Sequence, residues 1–264
     1  MSAEPRAARL GLRAVVLAYL TVLLVVPVGL VCSRTFEHGP APVWRSITTP
    51  AAVHAFWLTI EIALIAVPLN TVFGVITALA LVRGRFRGKA ILDAVISLPF
   101  ALPTIVVGVI LLALVGPTSP VGIHAVATTW AILMALAFVT LPFVVRSVQP
   151  VVQELDREME DAAASLGAGS ATIFRRVVLP NLVPAILSGA AMSFARAVGE
   201  FGSVVLVAGN IPMHTQLASV YIFGQVESDD PVGAAAVAVV LLAISLAVLL
   251  SIGGLSRWGS RHER

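Results

Sequence analysis

Six apolar stretches, each long enough to cross a bilayer as a helix, constrain this chain more than any other feature. They are Ala14–Ser33, Phe56–Val82, Ala94–Val115, Thr128–Val145, Leu182–Val207 and Val232–Ile252. A hydrocarbon layer of about 30 Å needs about 20 consecutive apolar residues in a helix. Backbone groups in lipid must find partners locally, and the runs are too continuous for barrel strands, so helices are the expected form. The sequence is 58% hydrophobic and only 12% charged, which excludes both a soluble domain and a disordered chain. The expected class is all-α: a polytopic membrane protein with six spans, one domain over residues 1–264, and no internal repeat.

The first stretch follows Arg6, Arg9 and Arg13, as a signal peptide would. Its apolar run is too long for a signal h-region and no A-x-A site follows, so it is expected to be a retained span. Basic residues set the orientation. With the N-terminus inside, the cytoplasmic segments hold Arg6, Arg9, Arg13; Arg83, Arg85, Arg87, Lys89; Arg146, Arg157, Arg175, Arg176; and Arg257, Arg261, Arg264. Only Arg34 and Arg45 fall outside, and Arg196 lies within a span. This asymmetry predicts a multi-pass cell-membrane protein with both termini cytoplasmic. The basic residues therefore report topology, not nucleic-acid binding.

Cys32 is the sole cysteine, so no intrachain disulfide is possible, and His38, His54, His124, His214 and His262 are scattered without metal-ligand spacing. No nucleophile–base constellation and no G-x-x-x-x-G-K-[ST] segment occurs. No catalytic residue, metal or cofactor is expected on this chain.

The longest loop, about residues 150–181, is expected on the cytoplasmic side. Glu154, Asp156, Glu158, Glu160 and Asp161 alternate with apolar residues at helical spacing. Gly167 is expected to end that helix, since glycine takes a left-handed C-cap at little cost. Ser170 is expected to N-cap a second short helix, and Pro180 to open the fifth span. The small pair Ala162-Ala163 beside the bend would let another protein approach the backbone. An amphipathic connector with no partner would use the same residues.

Asp161-Ala162-Ala163, then Gly167 after three residues, then Val177-Val178-Leu179-Pro180 after nine more, resembles the E-A-A-x3-G-x9-I-x-L-P loop of ABC-importer permeases. Asp161 replaces Glu and Val177 replaces Ile. The resemblance extends to Ser97-Leu98-Pro99-Phe100-Ala101-Leu102-Pro103-Thr104, Pro142-Phe143-Val144-Val145-Arg146 and Arg196-Ala197-Val198-Gly199-Glu200-Phe201-Gly202, which are similar to the sulfate and molybdate branch. Ala208-Gly209-Asn210-Ile211-Pro212 with Thr215, and Gly233-Ala234-Ala235, are closer to the sulfate/thiosulfate permeases.

The resemblance implies a type I ABC-importer permease whose coupling helix, with Asp161, Ala162, Ala163, Ser165, Leu166, Gly167 and Pro180, docks on an ATPase. It implies two copies of that ATPase subunit, carrying ATP and Mg on the partner. A homologous permease chain would complete a heterodimer, a homodimer being the other arrangement. An extracytoplasmic sulfate-binding protein would deliver the anion, and the lipid bilayer would surround the assembly. Molybdate or tungstate import stays open within the branch. A proton-coupled secondary anion transporter is the alternative of another class, and it would call for an inverted repeat.

Ionisable groups inside spans are costly and become functional candidates: Glu61, Arg196 and Glu200. Asp93, near Lys89, is expected to anchor the inner end of span three. Gly189, Ser193, Arg196, Glu200 and Ser203 fall on one face if span five is a single helix, and Arg196 and Glu200 can pair at i, i+4. With Ser97 and Thr104, the residues Ser193, Arg196, Glu200 and Ser203 form the expected path or gate, the alternative being a pair that only glues helices together. One compensated cation offers a dianion weak binding, as a conduit requires. Pro68, Pro99 and Pro103 are expected to kink their spans.

Overall fold

The computed structural model describes residues 6–37 and 39–259. His38, Arg261, His262 and Arg264, on which part of the topology and histidine reading fell, lie outside them. The described residues form helices α1 (Arg6–Leu20), α2 (Val26–Thr35), α3 (Pro40–Ile47), α4 (Pro50–Arg83), α5 (Lys89–Ala101), α6 (Thr104–Val115) and α7 (Thr129–Glu154). The chain continues through α8 (Arg157–Ser165), α9 (Ser170–Ile173), α10 (Leu179–Val198), α11 (Gly202–Val207), α12 (Ala218–Glu227) and α13 (Pro231–Gly259). Single π-turns join α1 to α2 at Thr21–Val25 and α9 to α10 at Phe174–Val178. No strand occurs among the described residues.

Five helical segments are long and apolar enough to cross a membrane, or six if the bent pair α5–α6 counts as one span. The core is a bundle of α4, α7, α10 and α13. Small residues let these helices approach closely: Ala52, Ala55, Ala63, Ala66 and Ala78 on α4 are fully buried. Gly74 faces Val144, and Gly189 faces Val144 and Ser147, so α4 and α10 both close on α7. Large side chains such as Leu64, Phe73, Ile76 and Leu246 point outward, as lipid-facing residues do. Polar contacts reinforce the packing. Asn70 Nδ2 donates to the Ala137 carbonyl and to Thr140 Oγ1, each at 2.8 Å. Thr59 Oγ1 accepts from the Ala218 amide at 2.9 Å.

Two expected spans are discontinuous. The third does not kink at Pro103 but breaks, with α5 and α6 meeting at 117°. Pro103 has no amide proton and pushes the preceding residue out of the helical region, and Leu102 is accordingly extended at ψ 135°. The fifth span stops at Val198 and resumes as α11, so Leu182–Val207 is not one helix. Its other end starts earlier than expected, because helical structure runs from Ser170 through the π-turn into α10. Pro180 therefore lies within a continuous helical segment and does not open it. The Leu179 amide donates back to Phe174, and this wider turn sits immediately before the residue that lacks a donor.

Candidate functional site

The loop between α7 and α10 is a helical bend that stands out from the bundle. Helix α7 ends at Glu154, and Leu155 and Asp156 interrupt the helix expected to continue through them. Asp156 caps α8, its Oδ1 accepting from the Glu158 amide at 2.9 Å, so the break lies where a side chain competes for backbone donors. Gly167 turns the chain at φ +85°. The carbonyls of Ala164 and Ala163 accept from the amides of Gly167 and Ala168, closing the end of α8. Gly169, not Ser170, precedes α9; Ser170 is its first residue and makes no cap.

Asp161, Ala162, Ser165, Leu166 and Gly167 are exposed, and Ala163 is half-buried. Leu166 is 90% exposed at the tip, with Met159 and Phe174 also presented to the surface. The bend thus presents an apolar knob among small residues on a polar surface. The sequence does not single out Met159 or Phe174: Met159 stands two helical turns before Leu166, whereas Phe174 lies beyond the Gly167 turn, where helical spacing no longer applies.

One Arg fork joins this region to the bundle, and a second Arg network ties two bundle helices together. Arg83, at the end of α4, forks onto Glu160 of α8: Nη1 to Oε2 at 2.9 Å and Nη2 to Oε1 at 2.5 Å. Arg146 of α7 donates to Asp93 Oδ1 at 2.8 Å, Gln149 Oε1 at 2.7 Å and the Asp93 carbonyl at 3.3 Å, and it also donates to Ser97 Oγ. Asp93 therefore binds Arg146, with no ion pair to Lys89. Phe100 packs edge-on against Phe143, its ring centroid 5.0 Å away, so α5 is held to α7 at two levels. In the sequence Arg83 is a topology signal alone, and Arg146 is both a topology signal and the last residue of the Pro142–Arg146 segment; neither points to its partner.

At the break after α10, Arg196 and Glu200 pair as expected, Nη2 to Oε2 at 2.6 Å. Glu200 is fully buried, whereas the Arg196 side chain keeps 30% of its exposure. The other carboxylate oxygen accepts from the Ser203 amide and the Ser203 hydroxyl, each at 2.8 Å. Glu200 lies between the Gly199 that ends α10 and the first turn of α11, whose Ser203 amide it accepts, and the single stripe expected from Gly189 to Ser203 does not exist: Ser203 belongs to α11.

The structure brings Thr104, Arg196, Glu200 and Ser203 into one neighbourhood. A Cβ on Gly202 would lie 2.3 Å from Thr104 Oγ1, and one on Gly108 would lie 2.8 Å from the Ser203 carbonyl. The two broken spans therefore meet at their breaks. Ser97 is elsewhere, bonded to Arg146 and the Asp93 carbonyl, and Ser193 is buried with its hydroxyl unpartnered. Glu61 is exposed on α4, outside this cluster. Among the described residues no group of His, Cys, Asp and Glu could hold a metal ion.

A helical bundle with two broken spans and a protruding loop between core helices is the architecture of a polytopic membrane protein. A chain from a bacterial ABC transporter involved in import of the acidic polysaccharide alginate has the same fold, at TM-score 0.78 and 14% identity over 95% of each chain. A chain of the MetNI methionine ABC transporter in an inward-facing conformation matches at TM-score 0.61 and 18% identity, over 78% of this chain and 95% of that one. The protein belongs to the family of binding-protein-dependent transport system inner membrane components, whose model matches residues 70–258. It is 43% identical to the sulfate transport system permease protein CysT of Synechococcus elongatus, over 93% of this chain and 91% of that one. Identity to the Escherichia coli K12 protein of the same name is 42%, with the same coverage of both chains.

Proposed function

We propose that this chain is the membrane subunit of an ATP-driven sulfate importer, forming half of the translocation path and passing motion from a separate ATPase. The observation that carries the reading is the α8–α9 bend. It presents Leu166 and the Asp161–Ala163 segment outward, is pinned to α4, and lies in a chain more than 40% identical to sulfate permeases along nearly its whole length. In this reading both termini and the bend are cytoplasmic. The bend seats on one of two ATPase subunits that bind ATP and Mg, and a homologous permease chain supplies the other half of the path. An extracytoplasmic binding protein delivers sulfate, and thiosulfate has the same charge and tetrahedral shape. The chain itself performs no catalysis.

The path is a conduit. Sulfate is a strongly hydrated dianion, and a tight site would need several uncompensated donors. At the meeting of the broken spans the Arg196 charge is answered by Glu200, and the Ser203 amide and hydroxyl are already committed to the same carboxylate. What remains for a passing anion is the exposed part of the Arg196 guanidinium and the Thr104 hydroxyl. Such a site binds weakly and releases readily, leaving selection to the binding protein.

Uptake of radiolabelled sulfate and molybdate in cells lacking the chain tests this. Loss of sulfate uptake, restored by the wild-type chain but not beside an ATPase-dead partner, is the expected result. Loss of molybdate uptake alone would overturn the cargo and leave the importer. Sulfate uptake that persists beside the dead ATPase would overturn the importer.

A further inference from the structure

We infer that the Arg83–Glu160 fork is a positioning pair that carries motion of the coupling bend into α4, and so into the bundle. The inference rests on the importer reading above.

Besides its packing against the Phe174–Val178 turn, α8 has three connections to the bundle, and their geometry is the reason. Toward α7 the chain passes through the break at Leu155–Asp156, where helical hydrogen bonding is interrupted. Toward α10 it passes through the Gly167 turn, the short α9 and the π-turn Phe174–Val178. Both covalent routes contain irregular backbone, which absorbs displacement by changing dihedrals. The third connection is not covalent, but it is short and two-pronged. Two parallel bonds from a planar guanidinium to a carboxylate fix orientation as well as distance, which a single contact does not. The side chains keep only 29% and 19% of their exposure, so water screens the pair less than a surface bridge.

What the fork grips is stiff. Helix α4 runs 34 residues, about 51 Å at 1.5 Å per residue, and Pro68, the one residue in its interior that lacks a backbone donor, lies 15 positions before the fork. Its last turns are locked to α7, with Gly74 against Val144 and with Ala78 and Leu81 buried in the cluster around Val145 and Val148. Arg146 on that stretch of α7 holds α5 by three hydrogen bonds, to Asp93 Oδ1, the Asp93 carbonyl and Ser97 Oγ. A displacement of α8 along the fork is therefore delivered to α4, from α4 to α7, and from α7 to α5, whose far end is the 117° bend at Leu102–Pro103. Exposed ion pairs usually contribute little. This one is half-buried, bidentate and placed across the only gap on that route.

The test uses the assembled transporter, with both permease chains, the ATPase and the binding protein, in proteoliposomes. Sulfate uptake and binding-protein-stimulated ATP hydrolysis are read on the same sample. Arg83→Gln and Glu160→Gln are expected to keep the ATPase bound at the wild-type ratio and to keep hydrolysing ATP. Sulfate moved per ATP is expected to fall about tenfold, the ratio that about 1.4 kcal/mol of lost coupling produces. Exchanging the charges, Arg83→Glu with Glu160→Arg, is expected to recover most of the loss. So is a short bismaleimide linker between Arg83→Cys and Glu160→Cys in a Cys32→Ser background, which leaves no other thiol on this chain.

Unchanged stoichiometry in the single variants would overturn the inference. Recovery by neither the exchange nor the linker would do so as well. Loss of the ATPase from the single variants would place the pair in docking and also overturn it. If the wild-type assembly itself moves no sulfate, the importer reading fails, which is a separate result.

Discussion

Neutralising Glu200 sets a number on the buried pair. The carboxylate is fully buried and holds Arg196 at 2.6 Å through one oxygen and Ser203 at 2.8 Å, twice, through the other. Removing one member of a buried pair typically costs about 3–5 kcal/mol, because the remaining charge is left without compensation. Arg196 keeps 30% of its side-chain exposure, so water recovers part of that loss. The expected cost of Glu200→Gln is therefore about 2–3 kcal/mol, below the fully buried range. Gln can still accept from the Ser203 amide, whereas Ala cannot, so Glu200→Ala should cost about 1 kcal/mol more, the value of one hydrogen bond to a first-turn amide. The double variant Arg196→Met with Glu200→Gln removes both charges and should be less destabilised than the sum of the singles by at least about 1 kcal/mol. The assay is reversible unfolding of the purified chain in mixed micelles by titration with SDS, read by tryptophan fluorescence. A Gln variant within about 0.5 kcal/mol of wild type, or singles that simply add, would refute the account of Glu200 as a buried counter-charge.

Four further outcomes are expected. Arg196→Ala should lower sulfate uptake in proteoliposomes while the order of preference among sulfate, thiosulfate and molybdate stays as in wild type; a switched order would place selectivity in the path. Gly108→Ala puts a Cβ against the Ser203 backbone and should cost about 1–3 kcal/mol in the SDS titration, whereas Gly29→Ala, with nothing within 4 Å, should stay near wild type. Asn70→Leu removes two interhelical bonds from the α4–α7 seam and should cost about 0.6–1.7 kcal/mol in the same titration. Gly167→Ala meets no atom within 4 Å but must hold φ +85°; a penalty of about 1–2 kcal/mol at the bend should reduce ATPase co-purification without changing the SDS midpoint.

The spans were legible because hydropathy and length decide them, and the Arg196–Glu200 pair was legible because i, i+4 spacing within a helix leaves few alternatives. The bend between α8 and α9 was legible in outline: Gly167 occupies the left-handed position, with Ala162 exposed and Ala163 half-buried beside it. What hydropathy cannot resolve is a break inside an apolar run. Val198-Gly199-Glu200-Phe201-Gly202 reads as a continuous helix on apolarity alone, yet Glu200 folds its carboxylate back onto the Ser203 amide and starts a new helix. The two glycines around Glu200 were the available signal. Pro103 announced an irregularity but not its size, because a proline kink and a proline break share one residue and differ in what the next helix packs against. Here α6 finds α11, and that contact decides the matter. The arginine networks were invisible for another reason. Arg83 and Glu160 are 77 positions apart, and no local pattern joins them.

The two breaks are best understood together. Each interrupts a span with residues that apolar helices avoid, and each leaves backbone groups that lipid cannot satisfy. They are tolerated because they face one another. Gly202 and Gly108 admit the α6 backbone against α11, Glu200 supplies the acceptor that the start of α11 lacks, and Arg196 balances the charge this introduces. Ala127 completes the enclosure by donating its amide to the Val207 carbonyl at 2.8 Å, at the other end of α11. The polar groups in the middle of this apolar protein are thus a consequence of the breaks, before any substrate is considered. That order matters for mechanism. A site assembled to satisfy its own backbone has little left with which to hold a dianion, and a conduit needs little.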